Sequence, residues 1–440
     1  MPDIALNLQN KIEENNFVLG VIGLGYVGLP LCLTFMRKEA SVIGFDLDEK
    51  KIEQLHAGQS YIKHIPAEEI RDFYLTKKFD STVDFSRLNE PDAILICVPT
   101  PLTKNREPDL QYIESTADSI AKVLRPGQLI ILESTTYPGT TVEVLQPVLE
   151  KTGLKVGKDF FLAYSPERED PGNPKFSTGN IPKVVGGVDE KSTHLAKLLY
   201  GKALEKVIAV SSTQVAELTK LLENIFRSVN IALVNELKVL CHRMGVNVWE
   251  VIEAASSKPF GYMPFYPGPG LGGHCIPIDP FYLTSKAREY DCQTKFIELA
   301  GEVNTAMPYY VVERTMEGLN ERGKTLNGAE ILLLGAAYKK DVDDPRESPC
   351  FKLIEILTKK GANVKYNDPH IPALKPGRQY SYGLQSVPLT IENLSREDCV
   401  IIVTDHTAYD YDFILEHARM IVDTRNVFPG AANNKKIVSA

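Results

Sequence analysis

Short, uninterrupted apolar runs alternate along this chain with stretches whose apolar residues recur every three to four positions. The first run, VLGVI (18–22), ends in the glycine turn Gly23-Leu24-Gly25-Tyr26-Val27-Gly28. A helical stretch (LPLCLTFMRK) and a second run, SVIGFD (41–46), follow, so the order is strand, glycine turn, helix, strand. Further runs at 93–98 (AILICV), 129–132 (LIIL) and 160–164 (FFLAY) alternate with helical patterns such as 109–124. Alternation of this kind predicts a parallel, doubly wound sheet.

A different pattern begins at Ser212-Thr213, a good helix cap, and continues to Gly245. Its apolar residues include Val215, Leu218, Leu221, Leu222, Ile225, Val229, Ala232, Leu233 and Leu237. A helix of that extent spans roughly 48 Å at 1.5 Å per residue, long for one compact domain. It is expected to join two domains and lend a face to a partner subunit. After residue 328 the α/β pattern restarts, with a strand and turn at 330–338, strands at 363–368, 399–405 and 420–423, a helix at 349–360 and a degraded glycine turn. The expected fold class is therefore α/β: two Rossmann-like doubly wound domains joined by a long central helix. The divisions fall at 1–17 (an N-terminal extension), 18–211 (nucleotide binding), 212–327 (central, helical) and 328–440 (a second nucleotide-binding type).

Composition changes this picture little. Of 440 residues, 43% are hydrophobic and 24% charged, enough for ordinary globular cores. The net charge of −8 argues against a nucleic-acid protein, which would carry a basic patch. The polar opening MPDIALNLQNKIEENNF is not a secretory signal, and no apolar stretch of about 18 residues is present, so a cytoplasmic chain without a membrane segment is expected. The seven cysteines (32, 97, 241, 275, 292, 350, 399) fit neither a disulfide framework nor a metal site, and no metal is expected.

Five motifs carry candidate chemistry. The glycine turn precedes Asp46 at the end of the next strand, an arrangement that admits a pyrophosphate at the helix N-terminus and a ribose at the carboxylate. A carboxylate there repels a 2′-phosphate and favours NAD over NADP; Lys50 and Lys51 soften that preference. Glu167, just after a strand, is either a base facing the cleft or a surface residue paired with Arg168. Lys220 and Asn224, four apart, either border a polar hole for an oxyanion or lie on a solvated face. GAAYKKDVDDPRES (335–348) offers Lys339 and Arg346 to phosphates or a cofactor. GPGLGGHCIPIDP (268–280) surrounds Cys275 with loop formers; a thiolate there would be a nucleophile, and Asp279 is placed to fold back toward it. His274 is adjacent, but neighbouring side chains on extended backbone point apart, so no Cys–His dyad is inferred.

In order along the chain, VIGLGYVGLP, VPTP (98–101), ESTTYPGT (133–140), SPER (165–168), ELTKLLEN (217–224), GPGLGGHCIPIDP and GAAYKKDVDDPRES together resemble the UDP-glucose/GDP-mannose dehydrogenase family, over about residues 18–430. The resemblance implies oxidation of a UDP-sugar C6 alcohol to the acid with two NAD, through a thiohemiacetal and thioester on Cys275. It implies Lys220 and Asn224 as oxyanion donors, and Asp279 with Lys220 and a water for the alcohol proton. Glu167 would be the hydrolytic base and Thr136 the residue that holds the water. Gly23, Gly25, Tyr26, Val27, Gly28, Asp46, Thr100, Thr136 and Arg346 would contact NAD. Glu167, Lys220, Asn224, Lys258, Gly272, Lys339 and Arg425 would contact the UDP-sugar. The Cys loop, with SSKPFGYMPFYP before it, is most similar to the branch acting on UDP-N-acetylglucosamine to make surface-polysaccharide precursors; UDP-N-acetylmannosamine, UDP-N-acetylgalactosamine and UDP-glucose stay open. A homodimer or larger homo-oligomer through the central helix is expected. A one-hydride β-hydroxyacid dehydrogenase would share the glycine turn and long helix but needs neither Cys275 nor residues 328–440. A nucleotide-sugar binder without turnover is the reading from outside the enzymes.

Overall fold

The computed structural model describes residues 3–62, 65–103, 107–168, 179–273, 276–374, 383–430 and 434–440. The chain forms two compact units, Met1–Glu223 with Phe281–Cys292, and Asn224–Pro280 with Gln293–Ala440.

In the first unit an eight-stranded sheet contains β1 (Val18–Ile22), β2 (Ser41–Phe45), β3 (Phe79–Thr82), β4 (Ala93–Ile96), β5 (Leu129–Leu132), β6 (Phe161–Tyr164), β7 (Lys183–Gly187) and β8 (Val207–Ala209). Its order is β3-β2-β1-β4-β5-β6-β7-β8. All neighbours are parallel except β6 and β7. The order reverses between β1 and β4, the switch point outside which doubly wound sheets bind ligands. The central strands are buried on both faces, as continuous apolar runs require: Leu19, Val21, Leu95 and Ile131 lie in one core cluster, Ile22, Ile94, Ile96 and Ile130 in the other. The N-terminal residues form a helix, Ile4–Glu13, capped by Asp3; its Leu8 and Ile12 enter the first cluster.

The second unit holds a five-stranded parallel sheet. Its strands are β9 (Glu330–Leu334), β10 (Asn363–Asn367), β13 (Cys399–Ile402), β14 (Ile421–Asp423) and β15 (Ile437–Ser439), in the order β10-β9-β13-β14-β15. A two-stranded ribbon, β11 (Ala373–Leu374) with β12 (Leu384–Gln385), lies in the connection after β10. The reversal falls between β9 and β13.

The helix Thr213–Met244 has 32 residues, close to the extent its spacing predicts, and Gly245 ends it at φ +69°. Its apolar residues are divided between the two sides. Leu218, Leu222, Phe226, Leu233, Leu240 and Met244 form one exposed stripe. Lys220, Asn224, Ser228, Asn235 and Lys238 form a buried stripe on the opposite side, given 100° per residue. Leu218, Leu222 and Leu233, counted above in an apolar helix face, thus lie outside the core of a single chain. Buried Ala216, Leu221, Ile225, Ala232 and Val234 flank the polar stripe.

Candidate active site

In the first unit the predicted cofactor residues follow the carboxyl ends of adjacent strands: Gly23 after β1, Asp46 after β2, Thr100 after β4, Thr136 after β5. Gly23 has φ +91°, and a Cβ there would stand 2.5 Å from the Cys97 carbonyl oxygen. A Cβ on Gly28 would meet the Gly23 oxygen at 2.0 Å, whereas one on Gly25 would meet nothing within 4 Å. The outer glycines therefore close the turn, and Gly25 leaves open space at the helix N-terminus, as a pyrophosphate needs. Tyr26 is exposed in this turn and Val27 caps the helix Gly28–Met36.

Asp46 is buried. Its Oδ2 accepts from the Leu24 N–H and the Lys51 ammonium, both at 2.9 Å, and its Oδ1 from the Asp48 N–H at 3.0 Å. The ammonium of Lys51, expected to soften the preference for NAD, is thus spent on the carboxylate. The residues fit an NAD: a glycine cradle with one open position, and an oriented carboxylate at the ribose end.

The loop 133–140 is tied to the long helix by Glu217, whose buried carboxylate accepts from the Gly139 N–H (2.6 Å), the Thr141 N–H (2.9 Å) and the Thr141 hydroxyl (2.7 Å). Thr136 in this loop is 0% exposed, and its hydroxyl has no hydrogen-bond partner among the described residues. A buried hydroxyl in that state is set to bind water or ligand. Thr100 is buried, and its carbonyl accepts from the Tyr282 hydroxyl at 2.8 Å.

Glu167 follows β6. Its backbone carbonyl accepts from the Lys220 ammonium, and its carboxylate lies 3.9 Å from Lys183 Nζ. Arg168 does not pair with it; its guanidinium holds Glu223 at 2.6 Å and the Pro182 carbonyl at 2.6 Å. Lys220 is buried, so the solvated-face alternative falls away for this residue. Behind Glu167 is a buried ion pair that sequence reading missed. Lys183 Nζ is 2.5 Å from Glu133 Oε2, and the Tyr200 hydroxyl bonds the other oxygen. Burial works against the Lys183 ammonium, but Glu133 and Glu167 together raise its pKa above the usual lysine value. Burial likewise pushes the Glu133 carboxyl up, with Lys183 opposing.

In the second unit Asn224 is 0% exposed. Arg227 donates to its Oδ1, and its Nδ2 donates to Asp279. Because a guanidinium only donates, the Asn224 oxygen must face Arg227 and its NH₂ must face the carboxylate. Asn224 and Asp279, 55 residues apart in sequence, are therefore brought together in one orientation. Cys275 and His274 lie outside the described residues. The glycine loop that leads to them packs on the 335–348 segment: a Cβ on Gly272 would meet Tyr338 Cβ at 2.8 Å and Pro349 Cδ at 3.1 Å, and the Gly273 N–H donates to the Arg346 carbonyl at 3.1 Å.

The remaining predicted contacts differ in setting. Arg346 places its guanidinium on Asp344 in a forked pair, at 2.9 and 2.6 Å. Lys339 is half-buried on the same segment. Lys258 is exposed, with its ammonium 5.1 Å above the Phe260 ring, and no hydrogen bond joins it to Asn224, Asp279 or Arg425 among the described residues. Arg425 donates from Nε to the Val403 carbonyl at 2.8 Å. Asp341, His370 and His406 bring ligand atoms within 4.8 Å of one another. However, His406 Nδ1 accepts the Asp341 N–H at 3.0 Å and Nε2 lies 3.1 Å from Asp368, so both its nitrogens are committed to protein.

Residues 18–204 match the NAD binding domain of the UDP-glucose/GDP-mannose dehydrogenase family, 214–306 its central domain and 332–430 its UDP binding domain. The chain belongs to that family. It is an NAD-dependent UDP-sugar 6-dehydrogenase, and the nucleotide sugar is its substrate. Among its relatives is a UDP-N-acetyl-D-glucosamine 6-dehydrogenase of Pseudomonas aeruginosa, 34% identical over 393 residues, covering 89% of this chain and 91% of that one. A UDP-N-acetyl-D-mannosamine dehydrogenase of Pyrococcus horikoshii is 34% identical over 418 residues, covering 93% and 95%. A solved structure of the UDP-D-ManNAc dehydrogenase from Pyrococcus horikoshii superposes with a TM-score of 0.84 at 34% identity, over 93% of this chain and 95% of that one. An NDP-N-acetyl-D-galactosaminuronic acid dehydrogenase from Methanosarcina mazei Go1 gives 0.82 at 31%, over 98% and 96%. No helix among the described residues is long and apolar enough to cross a membrane.

Proposed function

We propose that this UDP-sugar dehydrogenase acts on UDP-N-acetylglucosamine, oxidising C6 from alcohol to carboxylate through covalent intermediates on Cys275. The observation that carries the reading is the buried Asn224–Asp279 pair in the chain segment that leads to and from the cysteine loop. Bound NAD supplies the acceptor for each of two hydrides. Asp279, with Lys220 and a water, takes the alcohol proton. Cys275 then adds to the aldehyde and retains it, so that oxidation continues to a thioester. Lys220 and the Asn224 amide donate to the successive oxyanions. Glu167 activates the water that Thr136 holds, and the thioester hydrolyses. Gly23, Gly25, Gly28 and Asp46 hold the cofactor. Arg425, Lys339 and the Gly272 loop hold the nucleotide sugar.

The sugar assignment rests on the cysteine-loop wording and on a UDP-N-acetyl-D-glucosamine 6-dehydrogenase among the relatives. An NADH progress assay with UDP-N-acetylglucosamine, UDP-N-acetylmannosamine, UDP-N-acetylgalactosamine and UDP-glucose tests it. The expected result is the highest kcat/KM for the first and two NADH per sugar consumed. A ratio of one would sink the four-electron reading. A preference for the mannosamine sugar would move the assignment to that substrate, which relatives of equal identity act on by name.

The exposed stripe of the long helix completes the proposal. Leu222, Phe226, Leu233 and Met244 leave an apolar row in water, and Phe226 and Leu233 also line a cavity of about 410 Å³ with Tyr262, Met263 and Phe265. A second copy of the chain buries such a row most simply. Light scattering is expected to return a mass near twice the 49.0 kDa of one chain, falling toward one chain in Leu222→Asp. A wild-type mass of one chain would contradict it.

A further inference from the structure

The long helix buries a second lysine, Lys238, which none of the chemistry above uses and which sequence reading passed over. It is 4% exposed. An ammonium has three donors to satisfy, yet Lys238 makes a single hydrogen bond, 3.4 Å to the Thr424 carbonyl. Among the described residues it forms no ion pair. Arg425, next after Thr424, likewise pairs with no carboxylate among the described residues and spends its Nε on a carbonyl.

The charged groups facing Lys238 are Arg425 and Asp423, and those facing Arg425 are Asp405 and Asp423. Both carboxylates favour the charged forms from a distance, but among the described residues neither is in ion-pair contact with Lys238 or Arg425. Asp423 spends one oxygen on the Arg425 N–H (2.9 Å) and the other on the Phe428 N–H (3.1 Å). Asp405 lies 3.6 Å from Lys340. Burial, with Arg425 as a like-charged neighbour, lowers the pKa of Lys238 to about 7.

The surroundings are built rather than loose. Asn235, one turn before Lys238, accepts the Gly268 N–H at 2.9 Å and donates to Asn304 at 2.9 Å; Asn304 in turn donates to the Ser228 carbonyl at 3.0 Å. A Cβ on Gly268 would stand 2.8 Å from Arg425 Nη1. The start of the cysteine loop is thereby held against the guanidinium, and the glycine keeps the space beside it. Two neighbouring cations, one of them buried, with no carboxylate in ion-pair contact among the described residues are costly on their own and are relieved by an anion.

We infer that Lys238 and Arg425 together form the site for an anionic phosphoryl oxygen of the nucleoside diphosphate, with Lys238 a substrate-binding residue of this enzyme. The inference rests on the UDP-sugar reading and adds to it a ligand on the helix stripe that also carries Asn224. Bound phosphate favours the protonated lysine, so UDP binding takes up a proton above pH 7, and affinity falls as pH rises.

Calorimetric titration of the full chain with UDP and with uridine, without NAD, tests this. UDP is common to every sugar candidate, so the outcome does not depend on which sugar is the substrate. Lys238→Met is expected to weaken UDP by roughly 10- to 100-fold at pH 7, the worth of a charge-assisted hydrogen bond, and to leave uridine unchanged. Wild-type affinity for UDP is expected to fall between pH 7.5 and 9, where the terminal phosphate is already ionised, and to stay level in Lys238→Arg. Equal losses for UDP and uridine would make Lys238 a strut for the 424–428 turn and overturn the inference. So would unchanged UDP binding in Lys238→Met, or a Lys238→Arg profile that falls like the wild type. If Lys238→Met does not fold, the Lys238→Arg profile alone decides. Wild type failing to bind UDP at all would instead remove the underlying UDP-sugar reading, and this inference with it.

Discussion

Cys275→Ala is expected to lose UDP-uronate formation by about three orders of magnitude or more, while Cys292→Ala keeps it. The argument is one of thiolate supply. The thiolate is the nucleophile, and burial in apolar surroundings suppresses it. Burial pushes the thiols of Cys32, Cys97, Cys350 and Cys399 far up, so none of these is a nucleophile at neutral pH. Cys241 is buried as well, on the long helix. Cys292 is exposed, beyond the end of the helix Asp279–Arg288. Cys275 alone stands in a glycine-rich loop, four residues before the carboxylate that Asn224 holds. Single-turnover NADH formation with mass analysis of the product distinguishes the cysteines. Equal losses in Cys275→Ala and Cys292→Ala, or full acid formation in Cys275→Ala, would refute the nucleophile.

The largest stability effect is expected at Lys183→Met. The substitution leaves the fully buried Glu133 carboxylate facing an apolar side chain, and breaking a buried pair from one side costs about 3–5 kcal/mol. For a unit of this size the thermal midpoint should drop by about 10 °C. Replacing both partners, Glu133→Gln with Lys183→Met, should recover much of the loss, because the uncompensated charge is then gone. The pH dependence has a definite sign. Burial already holds the Glu133 carboxyl above its ordinary value, and loss of the opposing Lys183 raises it further, so the folded variant binds the proton more readily than wild type and the deficit narrows as pH falls from 8 toward 5. Calorimetry at pH 8 and pH 5 measures both, and a midpoint unchanged from wild type would show that the pair contributes nothing. Activity is expected to fall too, because Lys183 also stands 3.9 Å from the Glu167 carboxylate.

Parts of this were legible in the residues and parts were not. The βαβ opening, the glycine turn with Asp46, the second sheet and the extent of the long helix follow from apolar runs, glycine positions and a cap, all of them local signals. Strands β3, β7, β8 and β15 gave no such signal. β7 (KVVGG) begins with lysine and ends in two glycines, and β8 has three residues, two of them exposed. The helix faces are legible only in part for a related reason. Spacing identifies apolar positions but not which of them the chain's own core covers, and here Leu221 and Ile225 are buried beside polar residues while Leu218, Leu222 and Leu233 are exposed.

The amino-acid sequence by itself determined two doubly wound sheets, a long helix between them and the order of the motifs, because periodicity and turn chemistry act over a few residues. Only the tertiary structure decided which polar side chains are buried, and against what. Lys183 finds Glu133 across 50 residues, Asn224 finds Asp279 across 55, and Lys238 reaches Thr424 across 186. A lysine in an apolar context reads the same in sequence whether it faces a carboxylate, a carbonyl or water. What distinguishes the three is the desolvation of the ammonium and the partner that offsets it, and both exist only once the chain has folded.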